Sequence, residues 1–158
     1  MRALVQTITP RTALLALKPR FAEAILGGSK TVELRRQRVG LPTGTILLIY
    51  ASSPVMAILG TVRVVKVDHA TPAEIWSAHR RALGLSRTEF DSYLEGTATA
   101  SAISLEHPNA LDQPISLSEL RGTSSFHPPQ SYCFVSPRSP EALRVLAALD
   151  HPGIPRDE

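Results

Sequence analysis

Hydrophobic positions along this chain switch between the spacing of strands and the spacing of helices. The run LLALK at 14–18 is typical of a short strand. The segment PRFAEAILGG predicts a helix, because Pro19 suits a first helical turn and the glycine pair suits a left-handed stop. Residues 31–36 then alternate as a strand does, which places Glu33 and Arg35 on one face. The first part of the chain is therefore predicted to be strand, helix and strand.

Two strongly β-like runs follow the turn signal in VGLPTG. They are TILLIYA and PVMAILGTVRVVKVDH, and the pair Ser52 and Ser53 separates them. Gly60 interrupts the second run, and a glycine inside a strand often marks a bulge or the corner of a barrel. These runs predict the wall of a curved sheet.

Helices are predicted for the middle of the chain by hydroxyl and carboxylate residues spaced three apart, as in a capping box. Such pairs begin at Thr71 and Ser86, and they predict helices over about 72–82 and 87–95. The aromatic side chains of this region fall at the periods of core residues, so we expect packing rather than base stacking. They are Trp76, Phe90 and Tyr93, with Tyr50 in the preceding strand.

The last third of the chain combines a strand at 99–106, a short helix opened by a third capping box at Ser116, a strand in PPQSYCFVS and a helix at 140–149. Strands at both ends with helices between them indicate an α+β protein with one closed or nearly closed sheet. We expect a single domain over 1–150 and a flexible tail at 151–158.

Composition is that of a folded, loop-rich protein. The 158 residues are 43% hydrophobic and 20% charged, and no apolar run reaches the ~20 residues of a membrane span. The first residues lack the apolar stretch of a secretory signal, so we expect a cytoplasmic protein without a membrane partner. Cys133 is predicted to be an inert buried thiol, and the five histidines lack the spacing of metal ligands. We therefore predict no metal and no cofactor.

Positive charge is concentrated near the amino terminus. Residues 1–40 carry eight Lys and Arg side chains against Glu23 and Glu33, a balance of +6. Because the whole chain carries +3, the remainder carries −3. This division predicts one positive face that attracts phosphates, although a solvated surface stripe would explain it equally well.

The densest cluster of chemically useful side chains is GSKTVELRR at 28–36. Glycine lets the backbone approach a ligand, lysine and arginine donate to phosphate or base edges, and glutamate accepts from an amino group. A salt-bridged surface strand would show the same pattern. The segment fits GxKxxExR, and in this the chain resembles ASCH domains, whose fold is related to the RNA-binding PUA domain.

The resemblance extends over about residues 13–135 and includes IYASSPV, the helix with Trp76 and the closing PPQSY. It implies a PUA-like mixed β-barrel with inserted and flanking helices. Similar proteins tend to carry an aromatic residue in place of Ser101, so the resemblance supports no base stacking at that position.

The resemblance implies a basic cleft around the motif. This cleft would hold RNA or a nucleotide-like ligand such as a modified nucleoside. Strand alternation leaves the direction of Lys30 open, since it has the opposite parity to Glu33. His127, near the expected rim, is a further candidate acid or base.

We expect substitutions in the motif to leave the fold nearly intact. The expected ligand-binding residues are Lys30, Glu33, Arg35, Arg36, Ser52, Ser53 and Gln130.

Three classes of function are compatible with such a cleft. The first is an RNA-binding module without chemistry of its own. The second is an RNA-directed hydrolase, because some proteins resembling this chain remove the acetyl group of 4-N-acetylcytidine and others are ribonucleases. Lys30 and Glu33 would then be catalytic, but the amidohydrolases have threonine where Glu33 stands. The third is a domain whose basic face meets an acidic protein.

Overall fold

The computed structural model describes residues 11–122 and 125–149, so the expected tail at 151–158 lies outside the described residues. None of the helices in these ranges is long and apolar enough to cross a membrane. In chain order the elements are β1 (Thr12–Leu17), α1 (Pro19–Leu26), β2 (Val32–Arg35), β3 (Ile46–Ala51), β4 (Ala57–Ala70), α2 (Pro72–His79), α3 (Arg87–Tyr93), β5 (Ala100–Ser116), α4 (Leu117–Leu120), β6 (Tyr132–Phe134) and α5 (Glu141–Leu149).

The strands form one mixed sheet in the order β2-β5-β4-β3-β1-β6. β1 and β3 are parallel, and every other described pair is antiparallel. The register of β4 against β5 shifts three times, and such bulges increase the local twist of a sheet. The sheet accordingly curls into a half barrel, which confirms the expected α+β fold with a barrel-like sheet.

The sequence prediction differs most from the structure in β5, which continues to Ser116 instead of ending at 106. Residues 106–114 are mostly exposed and include two prolines, so they lack the hydrophobic alternation that announces a strand. Only residues 101–104 of β5 pair with β2. The later part of β5 pairs with β4 along one edge, and none of the described strands pairs with its other edge. A strand with an open edge tolerates proline.

The packing of β2 decides where the cleft forms. Val32 and Leu34 pack with Ile75 and Phe90 in an apolar cluster beneath α2 and α3. By strand alternation, Glu33 and Arg35 project from the opposite face of β2. Trp76 is half-buried, and the centroid of its ring lies 5.0 Å from that of Phe90, so their predicted packing role is confirmed.

Candidate functional site

A cleft of about 650 Å³ opens between α1, α3 and the segment before β6. Its walls carry aromatic side chains, and the charged cluster of β2 lies at its base. The lining residues are Ala16, Leu17, Lys18, Phe21, Lys30, Glu33, Leu34, Arg35, Ser52, Leu85, Glu89, Ser92, Tyr93, Pro129 and Gln130.

Lys30 lies in the bend between α1 and β2, and only 1% of the residue is exposed. The bend turns sharply because Gly28 has φ of 85°, a value that favours glycine. Lys30 Nζ lies 3.5 Å from Glu33 Oε1 and 5.2 Å from the centroid of the Phe21 ring. The side chain of Lys30, whose direction strand alternation left open, therefore points toward Glu33.

The turn after α2 encloses Lys30 from the other side. The backbone N–H groups of Thr31 and Val32 both donate to the Ala82 carbonyl, at 2.9 and 3.1 Å. The ammonium group of Lys30 donates to the next carbonyl, that of Leu83. No pattern in the sequence predicted this contact, because it joins segments more than fifty residues apart.

Glu33 holds the two cations of the motif together. Its Oε1 accepts from the Leu34 backbone N–H at 3.0 Å, and its Oε2 lies 3.2 Å from Arg35 Nη2. With Lys30 beside Oε1, both carboxylate oxygens are engaged, and Glu33 is 6% exposed. The geometry is that of a residue that positions Lys30 and Arg35.

Arg35 keeps hydrogen-bonding capacity that its protein partners do not use. Its Nη2 donates to the Ala16 carbonyl at 2.9 Å as well as to Glu33. Its Nε is buried and has no hydrogen-bond partner among the residues described. Because buried polar groups are almost always paired, this nitrogen is a candidate donor to a ligand.

Burial shifts the pKa of two groups in the cleft. It lowers the pKa of the Lys30 ammonium, because desolvation disfavours the charged form, and the nearby Glu33 carboxylate offsets only part of this effect. Burial likewise raises the pKa of the Tyr93 phenol. The Tyr93 hydroxyl donates to the Leu34 carbonyl at 3.3 Å, so the phenol is held against the cleft wall in its protonated form.

An ion pair spans the mouth of the cleft. Arg20 on α1 and Glu89 on α3 form two parallel contacts, Nη1 to Oε2 at 2.6 Å and Nη2 to Oε1 at 3.0 Å. The hydrogen bonds from Arg20 are the largest cause lowering the pKa of Glu89 to about 2. Nothing in the sequence pattern paired these residues, which are 69 positions apart.

Comparison with known proteins identifies the family. The model of the ASCH domain family matches residues 15–109, which is more than half of the chain. The chain belongs to the ASCH domain family. This confirms the family that the GxKxxExR motif indicated.

The relatives of this ASCH domain include a protein of Zymomonas mobilis named ASCH domain-containing ribonuclease. It is 33% identical over 140 residues, which cover 87% of this chain and 93% of that protein. The crystal structure of the Zymomonas mobilis ASCH protein superposes with a TM-score of 0.78 at 32% identity, covering 88% of this chain and 95% of that one. The N-terminal domain of Staphylothermus marinus McrB shares the fold, with a TM-score of 0.55 at 11% identity over 86% of this chain and 94% of that chain.

Five of the seven expected ligand-binding residues of this ASCH domain line one cleft: Lys30, Glu33, Arg35, Ser52 and Gln130. The other two, which are next to them in sequence, do not line it.

Arg36 and Ser53 are the two expected residues outside the lining. Arg36 points away, since its Nε donates to Thr97 Oγ1 at 3.1 Å and its Nη2 to the Glu95 carbonyl at 3.3 Å. Ser53 is exposed in the turn after β3 and does not line the cleft. A one-residue step along a strand or turn is enough to redirect a side chain.

Tyr93 is a cleft residue that the sequence analysis assigned to packing. It is 40% exposed and lines the cleft from α3. Its helical spacing is the same as that of a core residue, so only its exposure in the folded chain distinguishes the two roles. His127 is exposed and is not among the lining residues.

Ser101, where similar proteins tend to carry an aromatic residue, does not line the cleft and is fully buried. Its hydroxyl accepts from the Val39 N–H at 3.1 Å and donates to the Gln37 carbonyl at 2.8 Å. It therefore stabilises the segment that follows β2. Across the described ranges, no three His, Cys, Asp or Glu side chains are grouped so that they could hold a metal ion.

Proposed function

We propose that this ASCH domain binds RNA in the cleft formed by its GxKxxExR motif. The observation that carries the proposal is the Lys30, Glu33 and Arg35 cluster at the base of a cleft with aromatic walls. Arginine and lysine donors suit phosphate and base edges, and the volume of about 650 Å³ is typical of a pocket for one small ligand. The ligand in this proposal is one nucleotide of a single strand at a time.

Aromatic and polar side chains add support for a nucleotide. Phe21 and Tyr93 both line the cleft, and Tyr93, which is 40% exposed, offers a ring surface against which a base can stack. Ser52 and Gln130 at the rim supply a hydroxyl and an amide, which can both donate and accept hydrogen bonds. The cleft therefore combines the two kinds of contact that single-stranded nucleic acids use.

A second candidate function is cleavage of the bound RNA. Two observations favour it: the Zymomonas mobilis relative is named a ribonuclease, and burial lowers the pKa of Lys30. A neutral amine at this position would accept the proton of the ribose 2′-hydroxyl as that oxygen bonds to phosphorus and the bond from phosphorus to the 5′-oxygen breaks. The ammonium so formed would return the proton to the leaving oxygen, with Arg35 beside the phosphate. Glu33 occupies the position at which the amidohydrolases have threonine, and its carboxylate is paired with Lys30 and Arg35. These two features favour ribonuclease over amidohydrolase activity.

The test compares two neighbouring arginines. Arg35→Gln removes a cleft cation, and Arg36→Gln removes an exposed cation outside the cleft. Binding of a labelled single-stranded RNA is measured by fluorescence anisotropy, and melting temperatures establish that each variant is folded. We expect Arg35→Gln to weaken binding about tenfold or more, because a hydrogen bond to a charged group is lost, and Arg36→Gln to change it by less than about threefold.

Equal effects of the two substitutions would contradict the cleft as the binding site. Product analysis of the same RNA separates the two candidate functions. Cleavage that disappears in Lys30→Met supports the ribonuclease, whereas binding without product supports the module.

A further inference from the structure

The ion pair between Arg20 and Glu89 connects opposite walls of the cleft at its mouth. Glu89 lines the cleft, and Arg20 reaches it from α1. The two side chains are 60% and 38% exposed, so the pair faces solvent. Its geometry is bidentate, with the guanidinium fork matched to the two carboxylate oxygens.

Such a pair is easily exchanged. Ion pairs that face solvent contribute little to stability, because water and salt screen them. The guanidinium fork fits two oxygens of a phosphate as well as it fits a carboxylate. A phosphate that arrives at the mouth is therefore a direct competitor of Glu89 for the same donors of Arg20.

Glu89 retains another partner when Arg20 leaves it. Its Oε1 accepts from the Ser86 backbone N–H at 3.2 Å, as one half of the capping box that begins α3. The carboxylate is thus held at the start of its helix without Arg20. The exchange leaves neither Glu89 nor the incoming phosphate without a hydrogen-bond donor.

Arg20 is also close to the cations at the base of the cleft. Its Cζ lies 5.0 Å from the centroid of the Phe21 ring, and Lys30 Nζ lies 5.2 Å from the same centroid. One aromatic ring therefore contacts a cation at the mouth and a cation at the base. A strand that places a nucleotide against Phe21 brings its phosphate within reach of Arg20.

We propose that Arg20 is a phosphate-binding residue of this cleft and that Glu89 occupies its guanidinium until the phosphate of a bound RNA replaces it. The inference rests on the proposed RNA-binding function. Glu89 then acts as a selectivity element, because a free anion gains only Arg20, whereas an RNA strand also gains the contacts deeper in the cleft.

The test removes one negative charge at two places on α3. Glu89→Gln frees Arg20, and Asp91→Asn removes an equal charge from an exposed residue that pairs with Arg87 and does not line the cleft. Affinity for a single-stranded RNA is measured over a series of salt concentrations. We expect Glu89→Gln to bind about threefold to fivefold more tightly than Asp91→Asn, because the phosphate no longer has to displace a carboxylate from Arg20. The two salt slopes should be equal, and the slope should become shallower by ~0.7 only when Arg20 itself is removed, since that substitution removes one phosphate contact.

A second pair of variants shows whether the gain passes through Arg20. We expect Arg20→Ala to weaken binding and to abolish the gain when combined with Glu89→Gln. Equal affinities of Glu89→Gln and Asp91→Asn, or a gain that persists without Arg20, would overturn the inference while RNA binding itself stands. If neither the wild-type protein nor Glu89→Gln binds RNA at low salt, both this inference and the proposed function are overturned. Melting temperatures of all variants exclude unfolding as the cause.

Discussion

At the scale of single residues, the motif is far more buried than its sequence indicates. Lys30 and Glu33 are 1% and 6% exposed, although lysine and glutamate are among the residues least often found inside proteins. The expectation that their removal would leave the fold nearly intact assumed an exposed strand, and the burial contradicts that assumption. Substitution of Lys30 and substitution of Glu33 therefore differ in which charged groups remain buried.

Lys30→Met is expected to change the free energy of unfolding by less than ~1 kcal/mol at neutral pH. The substitution removes a desolvated charge and fills its volume, while Glu33 keeps Arg35 as a partner. Glu33→Gln instead removes the negative charge that faces both the buried Lys30 ammonium and Arg35, and we expect it to cost about 1–3 kcal/mol. Urea unfolding measures both. A larger loss for Lys30→Met than for Glu33→Gln would contradict this account.

The lowered pKa of Lys30 also predicts how stability depends on pH. The folded protein binds this proton less tightly than the unfolded chain, so the unfolded state carries more protons between the two pKa values. Stability relative to Lys30→Met should therefore rise as pH increases toward about 10.4, the usual pKa of lysine. Urea unfolding of both proteins from neutral pH upward measures the difference, and a constant difference would refute the prediction.

At the scale of elements, the walls of the cleft depend on how helices and strands meet. Of the three predicted capping boxes, the one at Ser86 is complete. At Thr71 and Ser116 the side chain accepts from the backbone N–H three residues on, at 3.3 and 3.1 Å. The helices α2 and α3 begin where these pairs predicted, and their packing on β2 encloses Lys30.

Gly60 shows why one position in β4 excludes a side chain. A Cβ there would lie 2.5 Å from the Asn109 carbonyl oxygen and 2.7 Å from a methyl group of Leu26. Gly60→Ala is therefore expected to destabilise the fold by about 1–3 kcal/mol, because backbone must move. Gly40→Ala is the control, since its nearest contact would be 3.9 Å away. Thermal unfolding of both variants checks the prediction, which equal melting temperatures would exclude.

Trp76→Ala tests the packing of α2 against α3. The ring is half-buried and contacts Phe90, so its loss should cost about 2–3 kcal/mol, less than for a fully buried tryptophan. Trp76 does not line the cleft, and RNA affinity of the folded variant should be unchanged. A variant with normal stability and lost affinity would instead make Trp76 a surface on which bases stack.

At the scale of the whole molecule, the described part of the basic segment, residues 11–40, divides its cations between the exposed surface and the cleft. Lys30 is buried and Arg35 half-buried in the cleft, where Glu33 partly neutralises both, and Arg20 is paired across the mouth. The +6 balance of residues 1–40 therefore overstates the charge available to a distant phosphate. Binding should depend on a few contacts inside the cleft.

The salt dependence of RNA binding follows from the number of phosphate contacts in the cleft. Two or three phosphate contacts predict a slope of about −1.4 to −2.1 for log affinity against log salt, since each contributes ~0.7 on a single strand. Anisotropy titrations over a tenfold range of salt measure the slope. An affinity that does not change with salt would exclude phosphate contacts, and a slope several times steeper would indicate an extended basic surface.

The order of the elements and the family were determined by the sequence alone. Capping at Ser86, the alternation of 31–36 and the GxKxxExR motif are readable because each depends on residues within a few positions of one another. The same local pattern located Lys30, Glu33 and Arg35, which the folded chain does bring into one cleft. Local spacing was sufficient for these features.

Only the tertiary structure decided burial, exposure and pairing across the cleft. Lys30 is enclosed by a turn more than fifty residues away, Arg20 pairs with Glu89 over 69 positions, and Tyr93 faces the cleft although its spacing is that of a core residue. These properties depend on which segments meet when the sheet curls and the helices pack on it. Periodicity shows which residues share a face of a helix or strand. What packs against that face is decided by contacts between distant parts of the chain.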